Sequence, residues 1–330
     1  MSTGPTPESG RRRFIIPGFI ALSAIWGASF LFIKVGIEEL HPVYVATVRV
    51  WLGALAMLTL LVILRHRLPR SPRVWAHLAV VGTLGIAIPF SLFGYGEQHI
   101  PSLLAGIWNA TTPLVALPLS ALLFRTEQFT ARKAAGIAIG FVGVLVVLGV
   151  WQGVGGAELA GQLMCFGAAA SYGVVIPYIK RFLAHEPMTG LALVAGQVVS
   201  AAVVLAVAAP LIAGAPPAPT SLSGEVIGSM LALGVFGTGF AFLIHFRNIR
   251  LVGASAASLV TYLVPVFAVL VGVIVLNETL HWFQPVGALI VLSGIAVMQG
   301  LPVSFRRRRA ESTLATPAPA GQPASATAKP

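Results

Sequence analysis

Apolar runs of about 20 residues recur along the chain, separated by short polar or basic stretches. A helix rising about 1.5 Å per residue needs about 20 apolar residues to cross roughly 30 Å of hydrocarbon. The pattern predicts ten spans, at 14–36, 42–64, 74–96, 101–124, 131–151, 157–179, 188–213, 225–246, 253–276 and 281–304. The tightest joint is "GEQHIP", residues 96–101, between the third and fourth spans.

Basic residues test the count, because cytoplasmic loops retain Lys and Arg. With the N-terminus inside, Arg11, Arg12 and Arg13 precede the first span. Arg65, Arg67, Arg70 and Arg73 follow the second; Arg125, Arg132 and Lys133 follow the fourth. Lys180 and Arg181 follow the sixth, Arg247 and Arg250 the eighth, and Arg306 to Arg309 with Lys329 the tenth. These are 19 of the 21 basic residues; the other two are Lys34 and Arg49. The expected protein is all-α and integral to the plasma or inner membrane, multi-pass, with both termini cytoplasmic. Residues 1–13 read as an N-terminal tail and 305–330 as a basic, disordered C-terminal tail poor in aromatics.

Composition agrees with this reading. The chain is 57% hydrophobic and 9% charged, with mean hydropathy +0.89; soluble domains carry about 25% charge. The net charge of +11 is divided among short loops. It therefore reads as topology and attraction to the lipid bilayer, with no nucleic-acid partner expected. All ten acidic residues are Glu, and Glu38, Glu39, Glu97, Glu158, Glu225 and Glu278 fall in the external parts of this topology. No Glu is expected in mid-span. The single cysteine, Cys165, reads as a packing residue.

The chain is also written twice. "IWGASFLFIK" (25–34) aligns with "SYGVVIPYIK" (171–180) at an offset of 146, matching Trp26 to Tyr172 and Lys34 to Lys180. Farther on, an offset of 151 matches Glu127 to Glu278, Gly136 to Gly287 and Gly143 to Gly294; Pro113 and Pro265 are 152 apart. Two five-span units, 14–151 and 157–304, follow. Five is odd, so the second unit enters the membrane from the opposite side. Inverted repeats of this kind place a solute site near midplane between the halves. Glu127 and Glu278 read as helix-start caps at tight loops.

Three segments carry a family resemblance: "IWGASFLFIKVGIEELHPVYVATVRVWLGALAM", the stretch from His99 to Val147, and its second-half counterpart "LVGASAASLVTYLVPVFAVLVGVIVLNETLHWFQPVGALIVLSGIAV". Over about residues 20 to 302 the sequence resembles the EamA-like transporters of the drug/metabolite transporter superfamily. The resemblance implies ten helices around a central cavity that work by alternating access. It leaves the solute open. The second half departs from the pattern: it has Gln197 where the first has Arg49.

Candidate pathway residues follow from polarity inside the spans. Arg49 stands about seven residues into the second span, roughly 10 Å from its outer end. An intramembrane charge must face protein or water. Arg49 is therefore expected to bind a solute carboxylate or phosphate, to pair with Glu38 or Glu39, or to hold helix-terminal carbonyls. Lys34, nearer the water, is expected to snorkel. "GIWNATTP" sets Trp108, Asn109 and Thr112 before Pro113, which removes the backbone bond to Asn109 and kinks the helix. Trp26 and Ser29 share a face, and with Tyr95, Trp108, Tyr172, Gln197 and Tyr262 they are expected to wall a weakly polar pocket. Lys34, Pro113, Pro265, Glu127 and Glu278 are the gating or structural candidates. His245 reads as a solvated or belt residue.

These features point to a secondary transporter for a small metabolite. The expected solute is an amino acid or a related zwitterionic or anionic amphipathic molecule, moved by efflux. A passive facilitator and a non-transporting sensor are the alternatives. No H-E-x-x-H or G-x-S-x-G occurs, so neither an enzyme nor a metal or other cofactor is expected. The sequence leaves the oligomeric state open.

Overall fold

The computed structural model describes residues 7–152, 155–252, 257 and 260–300. The remainder of the two expected tails, part of the ninth expected span and the last four residues of the tenth lie outside the described residues. The described residues are all helical, with no strands. Eight helices are long and apolar enough to cross a membrane. They are α1 (Pro7–Gly36, apolar from Pro17), α2 (Pro42–Ile63), α3 (Pro72–Glu97), α4 (Ser102–Leu123), α5 (Ala131–Gln152), α6 (Gly156–Phe182), α7 (Gly190–Ala213) and α8 (Gly224–Asn248). Two shorter apolar helices follow, α9 (Val260–Val275) and α10 (Phe283–Gln299).

Local chemistry sets the boundaries. Proline occupies the first turn of α2 and of α3, where its missing N–H has no helical partner to lose. The side chains of Thr130, Thr189 and Ser223 accept from backbone N–H groups of α5, α7 and α8. Gly149 ends the α-helical part of α5, before its last 3-10 turn, and Gly214 and Gly300 close α7 and α10, at φ 60°, 70° and 70°, a conformation that costs other residues a Cβ clash. Large apolar side chains face outward, Leu211 at 82% exposure and Ile274 at 72% among them. Such a surface is stable against lipid rather than water.

Neighbouring helices alternate in direction. At one end, Lys34 in the last turn of α1 reaches Glu97 at the end of α3. Gly161 in the first turns of α6 packs there on Gly96. The Tyr44 hydroxyl at the start of α2 donates to the Gly214 carbonyl after α7. At the other end, Met57 and Leu61 of α2 pack with Leu191 and Ala192 of α7. There Lys180 of α6 meets Glu127, and Arg132 of α5 abuts Gly300. So α1 ends where α6 begins.

The packing pairs exchange when each helix is replaced by the one five places on. α1 packs on α9 as α6 packs on α4; α1 on α8 as α6 on α3; α2 on α8 as α7 on α3. The α5–α10 contact is the most extensive of all. A Cβ at Gly136 would stand 2.6 Å from the Gly294 carbonyl oxygen, and one at Gly143 would stand 2.8 Å from that of Gly287. The matched glycines thus let two antiparallel backbones touch, the close approach that small residues permit in lipid.

α3 and α8 carry π-helical segments at corresponding places, Thr83–Ala87 and Ala232–Phe240. A π-helical segment disturbs the regular backbone bonding. Two carbonyls there accept hydroxyls: that of Leu84 from Ser171 at 2.5 Å, and that of Leu233 from Thr238 at 3.3 Å. Gly143→Leu is expected to force α5 and α10 apart, cost about 1–3 kcal/mol or more of stability and so lower the unfolding midpoint. Thermal unfolding in detergent tests this; an unchanged midpoint would show that the contact is not needed.

Candidate functional site

Arg49 of α2 points its guanidinium at α3, while its backbone carbonyl meets α8 at Gly234. Its residue is 7% exposed and its Nε has no hydrogen-bond partner. The guanidinium carbon stands 3.8 Å from the centre of the Phe90 ring, a cation–π contact. Tyr172 and Glu97 are the titratable groups nearby. Two expected roles do not hold. Glu39 is turned away and accepts from the Ser223 N–H at the start of α8, 2.8 Å. Arg49 forms neither an ion pair nor a bond to a helix-terminal carbonyl among the described residues. The Phe90 face takes their place.

Gln197 occupies the equivalent place on α7. The α3 backbone at Gly82 packs on the Gln197 carbonyl, and the α8 backbone at Gly234 packs beside the Arg49 carbonyl. Two matched glycines thus meet the two matched positions. The Gln197 amide nitrogen points toward Gly85.

Lys34 is half-buried and bonded to the neighbouring helix end. Its ammonium donates to the Glu97 carbonyl at 2.5 Å and the Ile100 carbonyl at 3.1 Å. The last carbonyls of a helix carry partial negative charge, and a cation placed there satisfies them. Sequence reasoning missed Glu97 altogether. It was expected outside, in a turn; the structure makes it the last residue of α3, 0% exposed, with both carboxylate oxygens unpartnered. The small residues of α6 cause this. Gly161 and Cys165 lie directly against Gly96 and close the turn over.

The aromatic candidates do not form one pocket. Trp26 packs on His245 (5.4 Å between ring centres) and Phe242. His245 is thus half-buried against rings, with a buried unpartnered Nδ1, rather than solvated. Ser29 back-bonds to Ile25 and lines a cleft of about 310 Å³ between α1 and α8. Tyr172 packs on Phe93, which packs on Phe30, and this group adjoins Arg49. Trp108 is 1% exposed and donates to Gln162 at 3.3 Å. Tyr95 stacks edgewise on His41 near the end of α3. Tyr262 accepts from Gln299 of α10. Pro265 is buried within α9.

α4 is interrupted between Asn109 and Thr112, just before Pro113. The freed Asn109 carbonyl accepts from the Thr112 hydroxyl at 2.8 Å, so this break is closed locally.

The two matched glutamates behave differently. Glu278 accepts from the backbone N–H groups of Ser102 (2.6 Å) and Leu103 (2.9 Å) and from the Ser102 hydroxyl (3.0 Å). It caps α4 across the molecule rather than its own helix. Glu127 pairs with Lys133 at 3.0 Å and Lys180 at 3.3 Å. Partial burial pushes the Glu127 carboxyl up; the bonds and charge of Lys133, then of Lys180, outweigh it and hold the group below the usual carboxylate range.

Helices that alternate across an apolar slab, with charges gathered at their ends and one guanidinium in a central seam, define a multi-pass membrane protein. The chain belongs to the EamA-like transporter family, which matches residues 13–149 and again 159–299. It is 31% identical over 276 residues to the uncharacterized inner membrane transporter YedA of Escherichia coli K12, covering 82% of this chain and 86% of that one. It is 26% identical over 288 residues to the uncharacterized transporter YoaV of Bacillus subtilis, covering 85% and 95%. A solved crystal structure shares the fold at TM-score 0.61 and 20% identity, over 86% of this chain and 96% of that one.

Glu278→Gln is expected to destabilise the protein by about 1–3 kcal/mol, since a charged acceptor of three hydrogen bonds is weakened. Glu127→Gln, at a half-exposed pair, is expected to cost under about 1 kcal/mol. The Glu127 contribution is present at neutral pH and is lost as pH falls through its depressed folded value. Denaturation of both variants at neutral and acid pH checks the order. Equal losses would contradict it.

Proposed function

We propose that the protein is a secondary transporter that exports an amino acid, or a related zwitterionic or anionic amphipathic solute, by alternating access. The proposed architecture is ten crossing helices in two oppositely oriented five-helix units, 14–151 and 157–304, with both termini cytoplasmic. Supporting this are the two family matches, the exchange of packing partners between helices five places apart, and the antiparallel touching of α5 and α10. Lys and Arg loops favour the Glu127 end as the cytoplasmic one.

The two ends differ, as alternating access requires. At the Lys34 end, α1 and α2 pack on the second half of α3. Among the described residues, α6 and α7 make no contact of similar extent with the second half of α8. This favours a state shut toward the outside, with Lys34 and Glu278 fastening the seal.

The observation that carries the solute assignment is the bare guanidinium of Arg49. It is buried, lies over the Phe90 ring, and its Nε finds no protein acceptor. A planar fork of this kind takes a carboxylate through two parallel bonds. Tyr172, in the neighbouring aromatic group, and Gln197, at the matched position on α7, are the proposed contacts for the rest of a small amphipathic solute. Ser29 lines the α1–α8 cleft on the proposed route inward, Trp26 packs beyond it on Phe242 and His245, and Asn109 and Thr112 mark the break in α4. Trp108, Tyr95 and Tyr262 shape the helices around this route.

Amino-acid content of medium and cytosol, with and without the intact protein, tests the function. Arg49→Ala is expected to reduce transport at least about tenfold, or about 1.4 kcal/mol of binding, and Arg49→Lys to restore only part of it because the fork is lost. Normal transport by a normally expressed Arg49→Ala would remove Arg49 from the site. Loss of the gradient on adding an uncoupler separates a driven carrier from a passive facilitator.

A further inference from the structure

Glu97 has no role in the solute path just described, yet it is the most thoroughly buried acid among the described residues. It is 0% exposed, and neither oxygen finds a donor. Its neighbours come from every element that packs on the end of α3. Lys34 of α1 spends its ammonium on the backbone carbonyls of Glu97 and Ile100, not on the carboxylate. Arg49 of α2 lies on Phe90. Cys165 of α6 lies against Gly96, and Glu158 of α6 is exposed and bonded to Gln162. Glu278 is committed to capping α4. His41 faces Tyr95, and His99 follows in the turn. The charged groups nearest Glu97 are thus Lys34, Glu278 and Arg49, and none hydrogen-bonds its carboxylate.

An ionised carboxylate without a donor in a dry site is among the costliest groups a protein can bury, and a neutral carboxyl costs far less. We propose that Glu97 is a proton-binding site built into the outer seal. It holds a proton while the ends of α1, α2, α3, α4 and α6 are packed, and releases it when they part. On opening, the carboxyl O–H bond breaks, the proton passes to water and the electron pair stays on the carboxylate, which water then solvates. Closing takes one proton back. By linkage, acid favours the shut state and alkali the open one. The proposal rests on the reading of this end as a gate, but no solute is needed to test it.

Cys165 supplies the reporter. It is the only cysteine, it is 0% exposed, and a Cβ at Gly96 would stand 2.4 Å from its sulfur. A polar maleimide can reach it only when the α3–α6 contact opens. In full-length protein in nanodiscs, with reagent on both faces, thiolate formation alone speeds alkylation about tenfold per pH unit. A linked proton release adds up to about another tenfold per unit. Wild type is expected to show the steeper slope, and Glu97→Gln, a mimic of the neutral carboxyl, only the thiolate slope. Equal slopes in the two proteins would overturn the proposal. Infrared spectra of the wild type, which need no variant, are expected to show the C=O stretch of a protonated carboxyl at neutral pH, lost as pH rises. Absence of that band would overturn it equally. Transport failing while both results stand would remove the proposed solute and leave the proton site.

Discussion

A charge inside an apolar slab must find a partner, reach water or be neutralised, and this fold is organised by that constraint. Nearly every Lys, Arg and Glu among the described residues sits at a helix end, where water or a helix terminus receives it. Lys34 and Glu278 are the working examples. One satisfies the carbonyls that close α3, the other the N–H groups that open α4. Together they bind two turns that the backbone alone leaves unsatisfied. Arg49, well inside α2, and Glu97, whose carboxyl at the end of α3 meets neither water nor a donor, are the two exceptions. A protein that needed only to fold would have replaced both with apolar groups, often at no loss of stability.

The helices around them are held by shape rather than by charge. Lipid supplies no hydrophobic drive for helix association, so close backbone contact must do so. Matched glycines provide it at α5–α10, and glycines of α3 and α8 provide it against α7 and α2. The π-helical segments of α3 and α8 lie beside these last contacts. Backbone irregularity, small residues and the matched Arg49/Gln197 positions therefore coincide. Elements that touch through glycine can slide with little steric resistance, and a seam that can slide is what a carrier requires.

Much of this was legible in the chain. Apolar length set the helices, and the expected bounds differ from the observed ones by a few residues at most described ends. The 146 and 151 offsets anticipated which helices share packing partners. Proline logic located the break in α4, and the assignment of Glu278 as a cap was right in kind, although the helix it caps lies elsewhere in the molecule. What was not legible depends on helix rotation. Which way Trp26, Tyr95 or Tyr262 faces is set by neighbours remote in sequence, so an aromatic set could be named but not assembled. Glu97 was hidden for a similar reason. "GEQHIP" reads as a polar turn, and only the small residues Gly161 and Cys165, more than sixty positions away, bury it.

Opposite orientation of the two halves is the claim from which the seam, the seal and the solute path all follow. The most direct test places single cysteines at Gln152, after α5, and at Arg70, after α2, in a Cys165→Ala background, and treats intact cells with a membrane-impermeant thiol reagent. The account requires Gln152→Cys to be labelled from outside and Arg70→Cys to be labelled only after the membrane is opened. Labelling of both positions from the same side would contradict it.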